Sequence, residues 1–105
     1  MTAYSVFENP NPRTKAVVPF LLDVQSELLS TLGTRVVVPL YRPAAADVHA
    51  MSRLTPVVLF QGQSLVAMVP ELAGIARREL GPLSGELASA RADILRAIDL
   101  LLTGF

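Results

Sequence analysis

The chain has 105 residues, and its nine basic and nine acidic side chains cancel, with a pI near 6.6, so no net field draws it to nucleic acid or to an anionic membrane. It has no cysteine, which removes disulfides, thiol catalysis and thiolate metal sites. An apolar fraction of 51% beside a charged fraction of 17% supplies one core and leaves apolar surface over, so a second copy of the chain is the first partner to expect.

The opening residues MTAYSVFENPNPRTK lack the basic-then-apolar order of a signal peptide, and no run approaches the roughly 18 apolar residues of a membrane span. The expectation is a cytoplasmic protein with no membrane partner. Residues 3–7 alternate weakly and predict a first strand. Asn9-Pro10-Asn11-Pro12-Arg13 reads as a loop, because two prolines fix φ and remove two donors within three positions. Ala16–Leu22 predicts a second extended run, with Pro19 at a sheet edge, and Asp23 to Ser26 continue it. After a turn at Gly33, the clearest strand is Arg35–Leu40, whose three consecutive valines favour extended backbone and which Pro39 ends or interrupts.

The stretch from Pro43 to Ser52 reads as a loop with one helical turn at Ala44–Ala46. Pro56–Phe60 and Ser64–Val69 flank Gln61-Gly62-Gln63 and predict a hairpin. Glu71–Leu80 has local helix signals: Pro70 at its start, Leu72, Ile75, Ala76 and Leu80 in helical spacing, and Arg77 and Arg78 near its end. Gly74 weakens them, and Gly81-Pro82 stops the segment. From Ser84 to Phe105 the apolar residues Leu87, Ala90, Ile94, Ile98, Leu101 and Phe105 recur at steps of three and four, widened by Leu95 and Leu102. This predicts one amphipathic helix capped at Ser84 and about 27 Å long at about 1.5 Å per residue. Asp93, Arg96 and Asp99 lie on its polar side. The sum is a small, twisted, mainly antiparallel sheet covered by a terminal helix, in a single domain over residues 1–105.

Chemistry-bearing patterns are sparse. The one histidine, His49, has only Asp47 near it and reads as a solvated loop residue; no spacing of the HExxH or CxxC kind places a metal, and no GxSxG or glycine-rich phosphate loop occurs. No cofactor is expected. Asp23 and Glu27 form an acid pair only if helical, being about 13 Å apart in a strand. Arg35, Arg53 and Arg77 are the residues from which a ribonuclease groove would be assembled. The ending Leu100-Leu101-Leu102-Thr103-Gly104-Phe105 is apolar where chain ends are ordinarily polar, so Phe105 either packs into its own core or a dimer seam, or helps to form a docking surface.

The segments Leu22-Asp23-Val24-Gln25-Ser26-Glu27-Leu28-Leu29, Arg35–Leu40, Pro56-Val57-Val58 and Ile94 through Phe105 resemble, in order and spacing, the CcdB family of toxins, the DNA gyrase poisons of type II toxin–antitoxin pairs. The resemblance implies an α+β fold, a strongly twisted SH3-like barrel-type sheet of the CcdB/MazF kind with a long C-terminal helix, and it favours a strand at Leu72–Ile75 over the local helix signals. It also implies a homodimer without catalytic residues. Its partners would be the gyrase A protein of DNA gyrase and a CcdA-like antitoxin, with DNA met only through them. In the family a tryptophan, a glycine and an isoleucine at the chain end meet gyrase, which places Thr103, Gly104 and Phe105 at the contact, supported by Leu28, Leu29, Asp99 and Leu102. Leu101 and Phe105 would lie at the dimer seam. Thr103 departs from the pattern, since an aromatic anchor at such a contact carries about 2 kcal/mol or more. A ribonuclease toxin on the related MazF-like fold, and a non-toxic dimer that still binds an antitoxin, are the alternative functions.

Overall fold

The computed structural model describes residues 4–29, 31–46 and 53–104. His49 and its neighbour Asp47 lie outside the described residues, as does Phe105. Among the described residues, seven strands form one antiparallel sheet: β1 (Ser5–Glu8), β2 (Phe20–Asp23), β3 (Thr34–Tyr41), β4 (Val57–Phe60), β5 (Gln63–Ala67), β6 (Ala73–Ala76) and β7 (Leu83–Glu86). A helix follows, α1 (Arg91–Thr103), led in by a 3-10 turn at Ala88–Ala90. The strand order is β4-β5-β3-β2-β1-β7, with β6 also paired to β3.

Strand β3 organises the sheet. One edge pairs with β2 from Val37 opposite Asp23 to Leu40 opposite Phe20. The other edge takes two partners in turn: β6 from Thr34 to Val37, and β5 at Leu40 and Tyr41. Pro39 therefore does not end the strand. Its carbonyl accepts from Met68 N at 3.0 Å on the two-partner edge, so the missing N–H of proline falls on the same side, where the ladder passes from β6 to β5. Proline is tolerated there because no ladder bond is lost.

The strand that the resemblance favours at Leu72–Ile75 is found at Ala73–Ala76, against the local helix signals, and the helix expected from Ser84 begins later. Residues 73–76 pair with the otherwise open half of β3, and Arg77–Glu79 close them with a 3-10 turn; four ladder pairs outweigh a marginal helix that contains Gly74. Ser84 does not cap a helix. Residues 83–86 pair with β1, and α1 starts at Arg91, so the helix is about 20 Å long rather than 27 Å. Gly81 and Gly85 make that strand possible. A Cβ on Gly81 would sit 2.5 Å from the Glu8 carbonyl oxygen, and one on Gly85 would sit 2.9 Å from the Phe60 ring. Ala16 and Val17 lie in turns rather than in β2, and Gln25 and Ser26 likewise leave the strand after Asp23.

The hairpin of β4 and β5 turns at Gln61 and Gly62, both with positive φ, the geometry that matches strand twist in a two-residue turn. Gln61 Nε2 donates to the Ser84 carbonyl at 2.9 Å, and Phe60 packs on Gly85. These contacts draw the β4 and β7 ends of the sheet together, curling it into a half-barrel. Val6, Leu22, Val38, Leu40 and Leu65 fill the inside, and Phe20 meets Phe60 edge to face at 5.1 Å. Ile94 and Ala97 of α1 are fully buried against this core, with Ile98 and Leu101 packed beside them, and the helix rests on the 3-10 turn Val69–Glu71. Full burial of each large aliphatic side chain is worth roughly 1.5–3 kcal/mol, so the apolar interior is the main source of stability.

Candidate partner-binding face

The residues that follow β2 build a small platform. Asp23 is fully buried, and its Oδ2 receives Arg35 Nε at 2.7 Å, while its Oδ1 accepts the Gln25 backbone N–H at 3.0 Å. Gln25 spans two elements: Nε2 donates to the Leu29 carbonyl and Oε1 accepts the Val36 N–H, each at 3.0 Å. Ser26 Oγ accepts the Leu28 N–H at 3.2 Å. The Asp-Val-Gln-Ser run is thus a polar clamp that holds the 3-10 turn Glu27–Leu29 against β3. With its backbone satisfied this way, the turn presents Leu28, 93% exposed, and Leu29, about half exposed, to solvent.

This clamp corrects two expectations. Asp23 does not pair with Glu27 for acid–base work, because its carboxylate is committed to Arg35. Nor does Arg35 join Arg53 and Arg77 in a groove for RNA. Its side chain is 2% exposed and ion-paired, whereas Arg53 and Arg77 are on the surface. A guanidinium sealed away from water cannot meet a phosphate.

Beside the platform runs the solvent side of α1. Arg91, Leu95, Asp99 and Leu102 follow one another at steps of four, four and three and are all exposed, Leu102 by 74%. Leu28 and Leu95 line one concavity of about 440 Å³ with Tyr4, Val24, Gln25, Ser26 and Arg91. Tyr4 adopts φ 67°, held there by its N–H on the Asp23 carbonyl and its own carbonyl under the Leu87 N–H, at 2.9 and 2.8 Å. Burial pushes the Tyr4 hydroxyl above its ordinary pKa, with the Arg91 charge pulling the other way.

At the far end, Gly104 closes the helix with φ 78°, its N–H on the Leu100 carbonyl at 2.9 Å, a left-handed cap that glycine adopts without a Cβ penalty. Thr103 Oγ1 donates to the Asp99 carbonyl at 2.6 Å, so its hydroxyl turns back on the helix rather than outward. Leu101 is half-buried and packs against the core. Of the expected contact residues, Leu28, Asp99, Leu102 and Thr103 are therefore exposed along one side of the molecule, and Leu29 is close by in the same turn. The expected set lacks Leu95, for which the step of seven to Leu102 is the available signal. Among the described residues no group of three or more histidine, aspartate or glutamate side chains is placed to hold a metal ion, and no helix is long and apolar enough to cross a membrane.

Leu28, Leu29, Leu95 and Leu102 thus leave apolar area exposed on the helix and on the clamped turn beside it. The model of the CcdB protein family matches residues 3–104, nearly the whole length. With the curled antiparallel sheet and the C-terminal helix in agreement with that match, the chain belongs to the CcdB family, toxins of toxin–antitoxin pairs.

Proposed function

We propose that this protein, as a homodimer, binds the gyrase A protein and traps the gyrase–DNA cleavage complex, and that a CcdA-like antitoxin neutralises it. The observation that carries the reading is the exposed row of Leu28, Leu95, Asp99, Leu102 and Thr103, on a helix and its neighbouring turn in a chain of this family. Binding energy is the whole mechanism. A dimer that fits gyrase with its DNA gate open better than gyrase with the gate closed shifts the population toward the cleaved state, and the strand breaks come from the gyrase's own chemistry. Leu100–Thr103 close α1, and two copies that met there about a two-fold axis would double a small apolar contact.

Purified protein, gyrase and supercoiled plasmid test this directly. The expected result is linear DNA after denaturation of the complex, and an affinity for the gyrase A fragment that falls about thirtyfold in Leu102→Asp. A folded dimer that gives neither cleavage nor binding overturns it. One observation favours the reading of a non-toxic dimer that keeps antitoxin binding: Thr103 offers no ring, and its hydroxyl is spent on Asp99. Unimpaired growth of cells expressing the chain, together with binding of the antitoxin, would establish that alternative.

A further inference from the structure

We infer that the outer edge of β4 is self-complementary, and that a second copy of this chain adds its own β4 there, antiparallel, about a two-fold axis at Val58. The hairpin fixes the direction of the backbone groups. Phe60 faces Gln63 across the turn, and the Ala67 N–H donates to the Pro56 carbonyl at 2.9 Å, so residues 56, 58 and 60 direct their main-chain groups at β5. Val57 and Leu59 point theirs the other way, where among the described residues no strand pairs. Their side chains are 63% and 69% exposed, whereas Val58 and Phe60 are buried in the core.

This edge lacks the devices that ordinarily keep edges apart. From Leu54 to Pro70 the sequence has no charged residue, β4 is Val-Val-Leu-Phe, and its register with β5 runs without a bulge. A charged partner finds nothing on the strand to pair with, whereas a second copy brings the same uncharged, apolar groups. The register follows from the two residues available. With Val57 opposite the second copy's Leu59, and Leu59 opposite its Val57, each pair exchanges two N–H to carbonyl bonds and the four exposed side chains meet on one face. Any other two-fold register leaves one of the two opposite a residue outside β4. Two residues a side fall well below the roughly 800 Å² per partner of a stable complex, so the contact is reversible and forms at high protein concentration. It uses no residue of α1 or of the turn Glu27–Leu29, and so stands or falls separately from the gyrase reading and its homodimer.

The test is sedimentation equilibrium of the full chain up to about 1 mM, with a cross-link that reports the register. The wild type is expected to exceed the mass at which Leu59→Lys levels off, and Leu83→Lys, which alters an exposed leucine of β7, to behave as the wild type. Both variants keep the wild-type unfolding midpoint because the side chains are exposed. The chain has no cysteine, so Val57→Cys and Leu59→Cys proteins can be mixed and oxidised with glutathione disulfide without background. Directly opposed positions are about 5.5 Å apart at Cα, within disulfide reach, and like positions are diagonal, so the mixed disulfide should exceed either like disulfide about tenfold. A wild-type mass that never passes the Leu59→Lys level, an equal loss in Leu83→Lys, or like disulfides as abundant as the mixed one would each overturn the proposal. So would saturable binding of a fluorescein-labelled alternating valine–threonine peptide below the concentration at which the chain associates with itself, which would assign the edge to a foreign strand.

Discussion

Asp23 and Arg35 are the two residues whose roles differ most from what their types suggest. A buried pair is a weak indication of net stability, because desolvation offsets attraction, yet removing one partner leaves a naked charge. Asp23→Ala is therefore expected to cost about 3–5 kcal/mol in urea unfolding, whereas Asp23→Leu with Arg35→Met should cost much less. If the single and double variants lose the same stability, the ion pair is not what holds this region. Tyr41 gives a pH prediction. Its hydroxyl donates to Glu71 Oε1 at 2.5 Å, and that bond, with burial and the Glu71 charge, pushes its pKa to about 12. A phenol whose pKa rises on folding favours the native state while it keeps its proton. Its contribution is complete below pH 10 and is lost as pH climbs through about 12. Unfolding midpoints measured across that window should fall more steeply in the wild type than in Tyr41→Phe.

Between strands, two glycines decide whether the sheet can curl. Gly81 lies against the backbone of Glu8 and Gly85 against the Phe60 ring, so even a methyl group demands that one edge move. Gly85→Ala is expected to lower stability by about 1–3 kcal/mol, an overpacking cost readable in the urea midpoint, and Gly81→Ala by at least as much because backbone yields less readily than a ring. A stability unchanged in both would mean that β7 does not approach β1 and β4 as described. The helix obeys a different constraint. Ala97 is fully buried where α1 meets the core, while Leu95 and Leu102, two and five residues away, face water. The same element thus anchors the fold with one side and exposes leucines on the other, and substitutions on the two sides should separate: Ile94→Ala destabilises by about 2–5 kcal/mol, and Leu102→Ala leaves the unfolding midpoint unchanged.

For the molecule as a whole, the proposed function depends on the placement of the helix end. The half-barrel fixes α1 at its base through Ile94 and Ala97, and the Gln25 clamp sets the Leu28 turn beside it. Gly104 is exposed and outside the core. The expectation is that a chain truncated before Gly104 keeps its dimer, by sedimentation or light scattering, and loses growth inhibition. A truncated protein that becomes monomeric would instead assign the last residues to assembly.

Local sequence sufficed for several parts of this protein. The valine run specified β3, Gln61-Gly62 specified the hairpin, and the spacing of Ile94, Ile98 and Leu101 specified the inner side of the terminal helix, since period and turn chemistry act over a few residues. The residue pattern also sufficed for the family. Local pattern could not decide residues 71–80 and wrongly gave residues 84–86 to the helix, because their state depends on an open strand edge on β3 and another on β1, partners far away along the chain. Nor could it tell that Asp23 and Arg35, twelve residues apart, would neutralise one another inside the fold, or that Leu95 would share a groove with Leu28. Hydrogen-bond accounting and burial are settled only when distant strands meet, and those long-range pairings chose strand over helix and core over site.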